Sequence, residues 1–253
     1  MTTRALSFGS VAAAYEQFRP GYPEGLVDAV LAYAGHPVHT AMEIGAGTGK
    51  ATRVFAGRGI TVTATDPDPA MLAELRRHVP ATVTTLHAAL EDLPPHPVHD
   101  LVFVAAALHW TRPEDRWQRI AALLAPDGVF ASFGAQLHLA DPEVEGVVHE
   151  VRSQVLDDDV VPSPDGTPEE SPMQWPGTEL VACTLFTDVQ QSVFERRLQM
   201  SADAYVAHLS TISAYLELSA RVRERVLTEI VAVLPEQVTV NGDLTLHLAR
   251  LRS

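Results

Sequence analysis

Residues 42–50, MEIGAGTGK, close an apolar run with three glycines, a threonine and the only lysine of the chain. A backbone this bare marks a close approach to a ligand, because glycine has no Cβ to stand in the way. Two phosphate-binding loops fail to fit. A Walker A loop needs G-x-x-x-x-G-K-[ST], yet Ile44 stands where its first glycine belongs and Ala51 follows the lysine. A dinucleotide fingerprint needs G-x-G-x-x-G, and Lys50 occupies its last glycine position. The pattern present is E-x-G-x-G-x-G, carried by Glu43, Gly45, Gly47 and Gly49. A carboxylate at a strand end suits a cationic ammonium group better than a pyrophosphate.

Outward from this loop, short apolar runs alternate with helical stretches: AMEIGA (41–46), ITVTATD (60–66), TVTTLHA (82–88), DLVFVAAA (100–107) and GVFASFG (128–134). That alternation predicts a parallel sheet covered by helices. Gly49 to Ala56, Pro69 to His78 and Pro113 to Leu124 read as the helices, with Pro113 suited to a first turn where its missing N–H is not needed. Pro-Asp-Gly at 126–128 reads as a turn into the next strand. Upstream, Ser10 is placed to cap a short helix ending at Phe18, and Leu26, Val27, Val30 and Leu31 share one face of another. Downstream, Pro142 to Leu156, Ala202 to Leu209 and Ala220 to Leu234 read as helices, QQSVFERRL (190–198) as a strand, and DLTLHLARL (243–251) as a final strand with Leu244, Leu246 and Leu248 on one face. The acidic, proline-rich stretch 157–177 reads either as a solvated loop or as a lid, Met173 and Trp175 being odd residues for the former.

At the end of the second strand, in TATDPDPAML, stands Asp66. An acidic side chain there can accept both hydroxyls of a ribose, as in dinucleotide folds. The site therefore calls for a ribonucleoside with a positively charged, zwitterionic tail, and S-adenosylmethionine fits that description better than NAD or ATP.

The order and spacing of YEQFRPGYPEGL, MEIGAGTGKAT, ATDPDPAML, LEDLP, DLVFVAAALHW and LLAPDGVFASF resemble those of the class I S-adenosylmethionine-dependent methyltransferases, within them the small-molecule type similar to trans-aconitate methyltransferase-like proteins. The motifs span Tyr15 to Phe133. The resemblance implies an α/β, doubly wound, seven-stranded Rossmann-like sheet of order 3-2-1-4-5-7-6 with the last strand antiparallel. It also implies N-terminal helices (1–38) covering cofactor and substrate, a cofactor-binding core (39–135), and substrate-covering elements with the last sheet strands (136–253), all in one domain. Carried over by residue, Glu43, Gly45, Ala46, Gly47 and Gly49 surround the methionine and ribose portions, and Asp66 holds the ribose. Pro67 and Met71 pack on ribose or adenine, Leu90 and Glu91 lie at the adenine edge, and Ala105 and Ala106 border the methionine. Relatives often carry Gly-Asp where Ala88-Ala89 stand, and a polar residue at Ala106. Tyr15 and Arg19 resemble the pair that closes over the cofactor, with Arg19 a charge-assisted partner for its carboxylate.

His109 and Trp110, just past the fourth strand, are implied to face the acceptor, together with Tyr22 and Tyr215. An unperturbed imidazole, with pKa about 6.5, offers a neutral base for a hydroxyl nucleophile; pocket shaping is the alternative role for His109. The expected reaction is methyl transfer to a small molecule, at oxygen foremost, with nitrogen or carbon open. Alternatives are a non-methyl-transfer reaction on bound S-adenosylmethionine and a non-catalytic binding module. The histidines show no close H-x-x-x-H pair and Cys183 is the only cysteine, so no metal site is expected. The net charge of −14 argues against nucleic acid and anionic membranes as partners. With no signal-like N-terminus and no membrane-length apolar run, a cytoplasmic location is expected.

Overall fold

The computed structural model describes residues 8–156, 163–168 and 170–252, so the expectations for 1–7 within the N-terminal cover and for 157–162 and 169 within the acidic stretch lie outside the described residues. A 3-10 turn, Phe8–Val11, leads into α1 (Ala12–Phe18), and α2 (Glu24–Ala34) follows the Arg-Pro-Gly-Tyr-Pro break. Strand and helix then alternate through β1 (Thr40–Ile44), α3 (Lys50–Ala56), β2 (Thr61–Asp66), α4 (Pro69–His78), β3 (Thr84–His87), β4 (His99–Ala105), α5 (Arg116–Ala122) and β5 (Leu124–Gly134). The remainder comprises β6 (His138–Leu139), α6 (Pro142–Arg152), α7 (Gly177–Ala182), β7 (Phe186–Phe194), β8 (Arg197–Ser201), α8 (Ala202–Leu209), α9 (Ser213–Leu216), α10 (Ala220–Val233), β9 (Gln237–Asn241) and β10 (Leu244–Leu251).

Seven strands form one sheet in the order β3-β2-β1-β4-β5-β10-β7, with β10 antiparallel to both neighbours. Numbered along the chain within this sheet, the order is 3-2-1-4-5-7-6, as the family resemblance implied. The order reverses between β1 and β4, and the carboxyl ends of strands at such a switch point leave a crevice for a ligand. One face of the sheet packs on α2 and α3, where Leu26, Val27 and Val30 meet Leu101, Phe103 and Leu244, Leu246 and Leu248 of β10. There Phe55 stacks on Phe103 at 4.2 Å between ring centroids. The other face packs Met42, Ile44, Val102 and Phe130 against Trp117 and Ile120 of α5.

Several boundaries differ from the sequence reading for local reasons. Ser10 does not cap α1: it lies in the 3-10 turn, because Gly9 is drawn onto α4 so closely that a Cβ there would sit 2.5 Å from an Asp68 carboxylate oxygen. Pro113 precedes α5 rather than starting it; the Arg116 guanidinium donates to both Thr111 Oγ1 (2.7 Å) and the Thr111 carbonyl (3.0 Å), which curls 111–115 into a turn. Pro-Asp-Gly sits within the irregular first part of β5, with Asp127 at φ 61°.

QQSVFERRL is not one strand. It breaks at Glu195-Arg196, where the Arg196 amide donates to Asp243 Oδ1 (2.7 Å), and its halves join different sheets. The second sheet, β6-β9-β8, was not foreseen. With α6, α8, α9 and α10 it encloses a core of its own around Tyr205, Tyr215, Val226, Ile230 and Val240, and this cap lies over the crevice. No helix among the described residues is long and apolar enough to cross a membrane.

Candidate active site

The loop after β1 turns sharply because Gly45, Gly47 and Gly49 all adopt left-handed backbone, at φ 68°, 56° and 83°. At Gly45 a Cβ would also lie 2.5 Å from the Ala107 Cβ, so a side chain is barred by the neighbouring strand end as well as by the turn. Gly49 has a different role from the expected one. It caps α3, and its bare Cα lets Leu75 and Val79 close in behind the loop, away from the cavity walls.

A cavity of about 830 Å³ opens over the strand ends. Gly45, Gly47, Asp66, Pro67, Met71, Leu90, Ala105 and Ala106 line one half, joined by Ala88 and Ala89. Ala106 keeps φ at 54°, a strained value for alanine that carries the chain away from β4 and leaves its methyl exposed. Tyr15 and Arg19 line the same half from α1 and its C-terminal cap. Arg19 lies over the Tyr15 ring at 5.0 Å and donates to Thr211 Oγ1 (2.9 Å) and the Thr211 carbonyl (3.1 Å). Lys50 helps hold α1 in place: its ammonium donates to the Glu16 carbonyl, while Arg53 pairs with the Glu16 carboxylate at 2.9 Å.

Two carboxylates stand at the adjoining strand ends. Asp66 accepts from the Gly47 and Asp68 amides, each at 2.8 Å. Burial pushes its pKa up to about 6 against the pull of those amides. Glu43 is wholly buried; Oε2 accepts from Thr52 Oγ1, but Oε1 has no hydrogen-bond partner among the described residues. Burial pushes this carboxyl up to about 8. A side cavity of about 60 Å³, sharing Tyr15, Arg19, Gly45 and Gly47 with the main one, reaches Glu43, Ala46 and Tyr22. A buried, half-satisfied carboxyl of this kind is expensive in the free protein and favours a cationic ligand.

The other half of the cavity is walled by His109 and Trp110, whose rings lie 4.5 Å apart, and by residues that sequence reasoning did not single out as site residues. Phe8 packs edge-on to Trp110 at 6.0 Å. Trp175 and Pro176 come from the strap before α7, Tyr205 and His208 from α8, and His247 from β10. His208 is buried, with no hydrogen-bond partner at Nδ1. His247 bonds Gln191 Oε1 through Nε2 at 2.8 Å, and burial lowers its pKa to about 4.

Besides Gly49, and Glu43 and Ala46 at the side cavity, three expected site residues lie off the main cavity. Glu91 turns out of the cavity and accepts from the Arg112 amide at 2.7 Å, because consecutive residues of the 3-10 turn Leu90–Asp92 point in different directions. Tyr215 is fully buried inside the cap core. Tyr22 packs edge-on to Phe133 at 5.0 Å and touches only the side cavity.

The doubly wound sheet with its antiparallel last strand and the glycine loop at the switch point are those of the class I S-adenosylmethionine-dependent methyltransferases, and the chain carries a domain of this class. Residues 42–132 match the family described as methyltransferase domain. An uncharacterized methyltransferase of Mycobacterium tuberculosis is 42% identical over 124 residues, which cover 49% of this chain and 50% of that protein. Trans-aconitate 2-methyltransferase of Delftia acidovorans is 37% identical over 123 residues, covering 47% and 44%. The chain thus spans about half the length of the curated relatives it matches. Among solved structures, a provisionally named type II methyltransferase from Anaeromyxobacter dehalogenans aligns over 92% of this chain and 98% of its own, with TM-score 0.61 and 25% identity. A Haemonchus contortus phosphoethanolamine N-methyltransferase, solved with phosphomonomethylethanolamine and S-adenosylhomocysteine, shares the fold at TM-score 0.54 and 18% identity over 97% of this chain and 58% of its own.

Proposed function

We propose that the protein binds S-adenosylmethionine and transfers its methyl group to an oxygen of a small-molecule acceptor. The observation that carries this reading is the buried Glu43 carboxyl with its bare Oε1, beside a glycine loop held in left-handed backbone at Gly45 and Gly47. These features fit the cofactor's ammonium and its close approach to backbone. In this reading Asp66 holds the ribose hydroxyls, Met71 and Leu90 flank the adenine, and Arg19 swings from Thr211 to pair with the cofactor carboxylate. When bound, S-adenosylmethionine supplies a sulfonium-activated methyl: the acceptor's O–CH₃ bond forms as the S–CH₃ bond breaks, leaving neutral S-adenosylhomocysteine. The chain's own contribution is alignment, water exclusion by α1 and the cap, and acceptance of the acceptor's hydroxyl proton by His109. Alignment of two bound partners can supply much of the rate, and a positioned base adds to it.

Calorimetric titration with S-adenosylmethionine and S-adenosylhomocysteine tests the reading, with NAD and ATP as controls. Saturable binding of the first two alone supports it; no binding of either overturns it.

A further inference from the structure

The walls of the acceptor half are largely aromatic, and the indole N–H of the Trp175 wall is already committed. Trp175 gives its indole N–H to Glu179 Oε1 at 2.9 Å, so its remaining contribution to the cavity is carbon surface. Glu179 Oε2 in turn accepts from Trp117 Nε1 (2.8 Å) and Arg116 Nη1 (3.2 Å). The Arg116 guanidinium is 2% exposed, anchored on Thr111, and lies 5.2 Å from the centre of the Trp175 ring. One carboxylate therefore ties the strap wall to α5. Phe8, Trp110 and Tyr205 also line the cavity, as do Leu209 and Ile212 from the cap.

The charges point the same way. Among the described lining residues the permanent cations are Arg19 and Arg152. Arg19 is committed to Thr211 and, in the reading above, to the cofactor; Arg152 is paired with Glu145 at 2.6 Å. His208 lines the cavity at 3% exposure with no hydrogen-bond partner at Nδ1. In either tautomer a hydroxyl, which both donates and accepts, can satisfy that nitrogen, whereas a carboxylate at neutral pH can only accept. A polycarboxylate entering this half would be desolvated without a free guanidinium to meet it.

Resting on the methyl-transfer reading, we propose that the acceptor is a neutral, ring-bearing hydroxyl compound seated against Trp175, and that Glu179 is the residue that positions this wall. Acceptor selection then lies in the strap, apart from the cofactor contacts.

The test uses the full chain saturated with S-adenosylhomocysteine and two probes, 2-naphthol and trans-aconitate, followed by calorimetry and tryptophan fluorescence. The expected result is saturable binding of 2-naphthol and at least about tenfold weaker binding of trans-aconitate. Glu179→Gln is expected to weaken 2-naphthol about three- to tenfold while S-adenosylhomocysteine affinity stays unchanged, a split that general loosening of the fold would not produce. Trp175→Phe should retain most of the 2-naphthol affinity and Trp175→Ala lose it. Tighter binding of trans-aconitate, binding of neither probe, or 2-naphthol affinity indifferent to all three variants overturns the proposal. Both probes are also titrated without S-adenosylhomocysteine. Failure of S-adenosylhomocysteine itself to bind would refute the cofactor reading, while the ranking of the two probes still decides the acceptor class.

Discussion

Replacing Glu43 by Gln should make the free protein more stable and its cofactor binding worse, and both effects follow from the same buried oxygen. Glu43 is 0% exposed and its carboxyl is raised by burial from 4.5 to about 8. A carboxyl with a raised folded-state pKa holds a proton that the unfolded chain has already lost, so stability falls as pH rises through the interval between the two values. Each pKa unit corresponds to about 1.4 kcal/mol, which makes the loss attributable to Glu43 about 3 kcal/mol between pH 5 and pH 7.5. Glutamine does not titrate, can still accept from Thr52, and removes this dependence. The measurement is urea or thermal unfolding of both proteins across that interval. The Glu43→Gln variant should gain on the parent by about 3 kcal/mol as pH rises, or roughly 6–12 °C in Tm for a chain of this size. Asp66 also becomes less favourable with rising pH, but it is present in both proteins and its effect cancels to first order. In the same samples, affinity for S-adenosylhomocysteine should drop by about ten- to a hundredfold, because the ammonium loses a charged partner. A stability gap that stays flat from pH 5 to pH 7.5 would refute the assignment of a buried, protonated Glu43.

The other site residues give sharper single outcomes. Asp66→Ala removes the acceptor for the Gly47 and Asp68 amides as well as for the ribose, and should weaken S-adenosylhomocysteine by about a hundredfold or more; a loss under about threefold would exclude Asp66 from the cofactor site. Gly45→Ala places a methyl against Ala107 in left-handed backbone, and should cost about 1–2 kcal/mol from the backbone alone, read by urea unfolding. An unchanged midpoint would show that the loop relaxes freely. His109→Gln should lower kcat by about 10²–10⁴ while leaving the acceptor KM nearly unchanged, provided the imidazole takes the proton. A matched rise in KM with kcat intact would instead make His109 a wall of the pocket.

The glycine-loop half of the cavity was legible because its parts are fixed by short-range order along the chain. Strand, glycine turn and helix recur within a few residues, so Glu43, Gly45, Gly47 and Asp66 could be placed at strand ends from spacing alone. Legibility failed where a residue's direction depends on a single step of rotation. Leu90 and Glu91 are neighbours, yet one lines the cavity and the other turns away to the Arg112 amide. QQSVFERRL reads as one strand by its pattern, but the tether from Arg196 to Asp243 splits it between two sheets. The acceptor half is different in kind. Phe8, Trp175, Tyr205 and His247 come from four separated segments and meet only through long-range packing. Two signals were available: a tryptophan in an acidic proline-rich stretch, and a histidine on the face of DLTLHLARL opposite its leucines.

That division has a physical consequence for how the site could change without losing its chemistry. In the proposed reading, cofactor contacts are built from backbone and from carboxylates at the ends of β1 and β2, so altering them disturbs the sheet that organises the whole molecule. The wall at Trp175 hangs on one carboxylate, Glu179, and on Arg116 beneath it, both outside the glycine loop. Substitutions in the strap can therefore reshape the acceptor chamber at the cost of a few side-chain contacts, while Glu43 and Asp66 keep their desolvated, ligand-seeking state. Each bound cofactor would relieve that state by supplying a cation to Glu43 and hydroxyls to Asp66, so ligand binding and stability are coupled through the same two side chains.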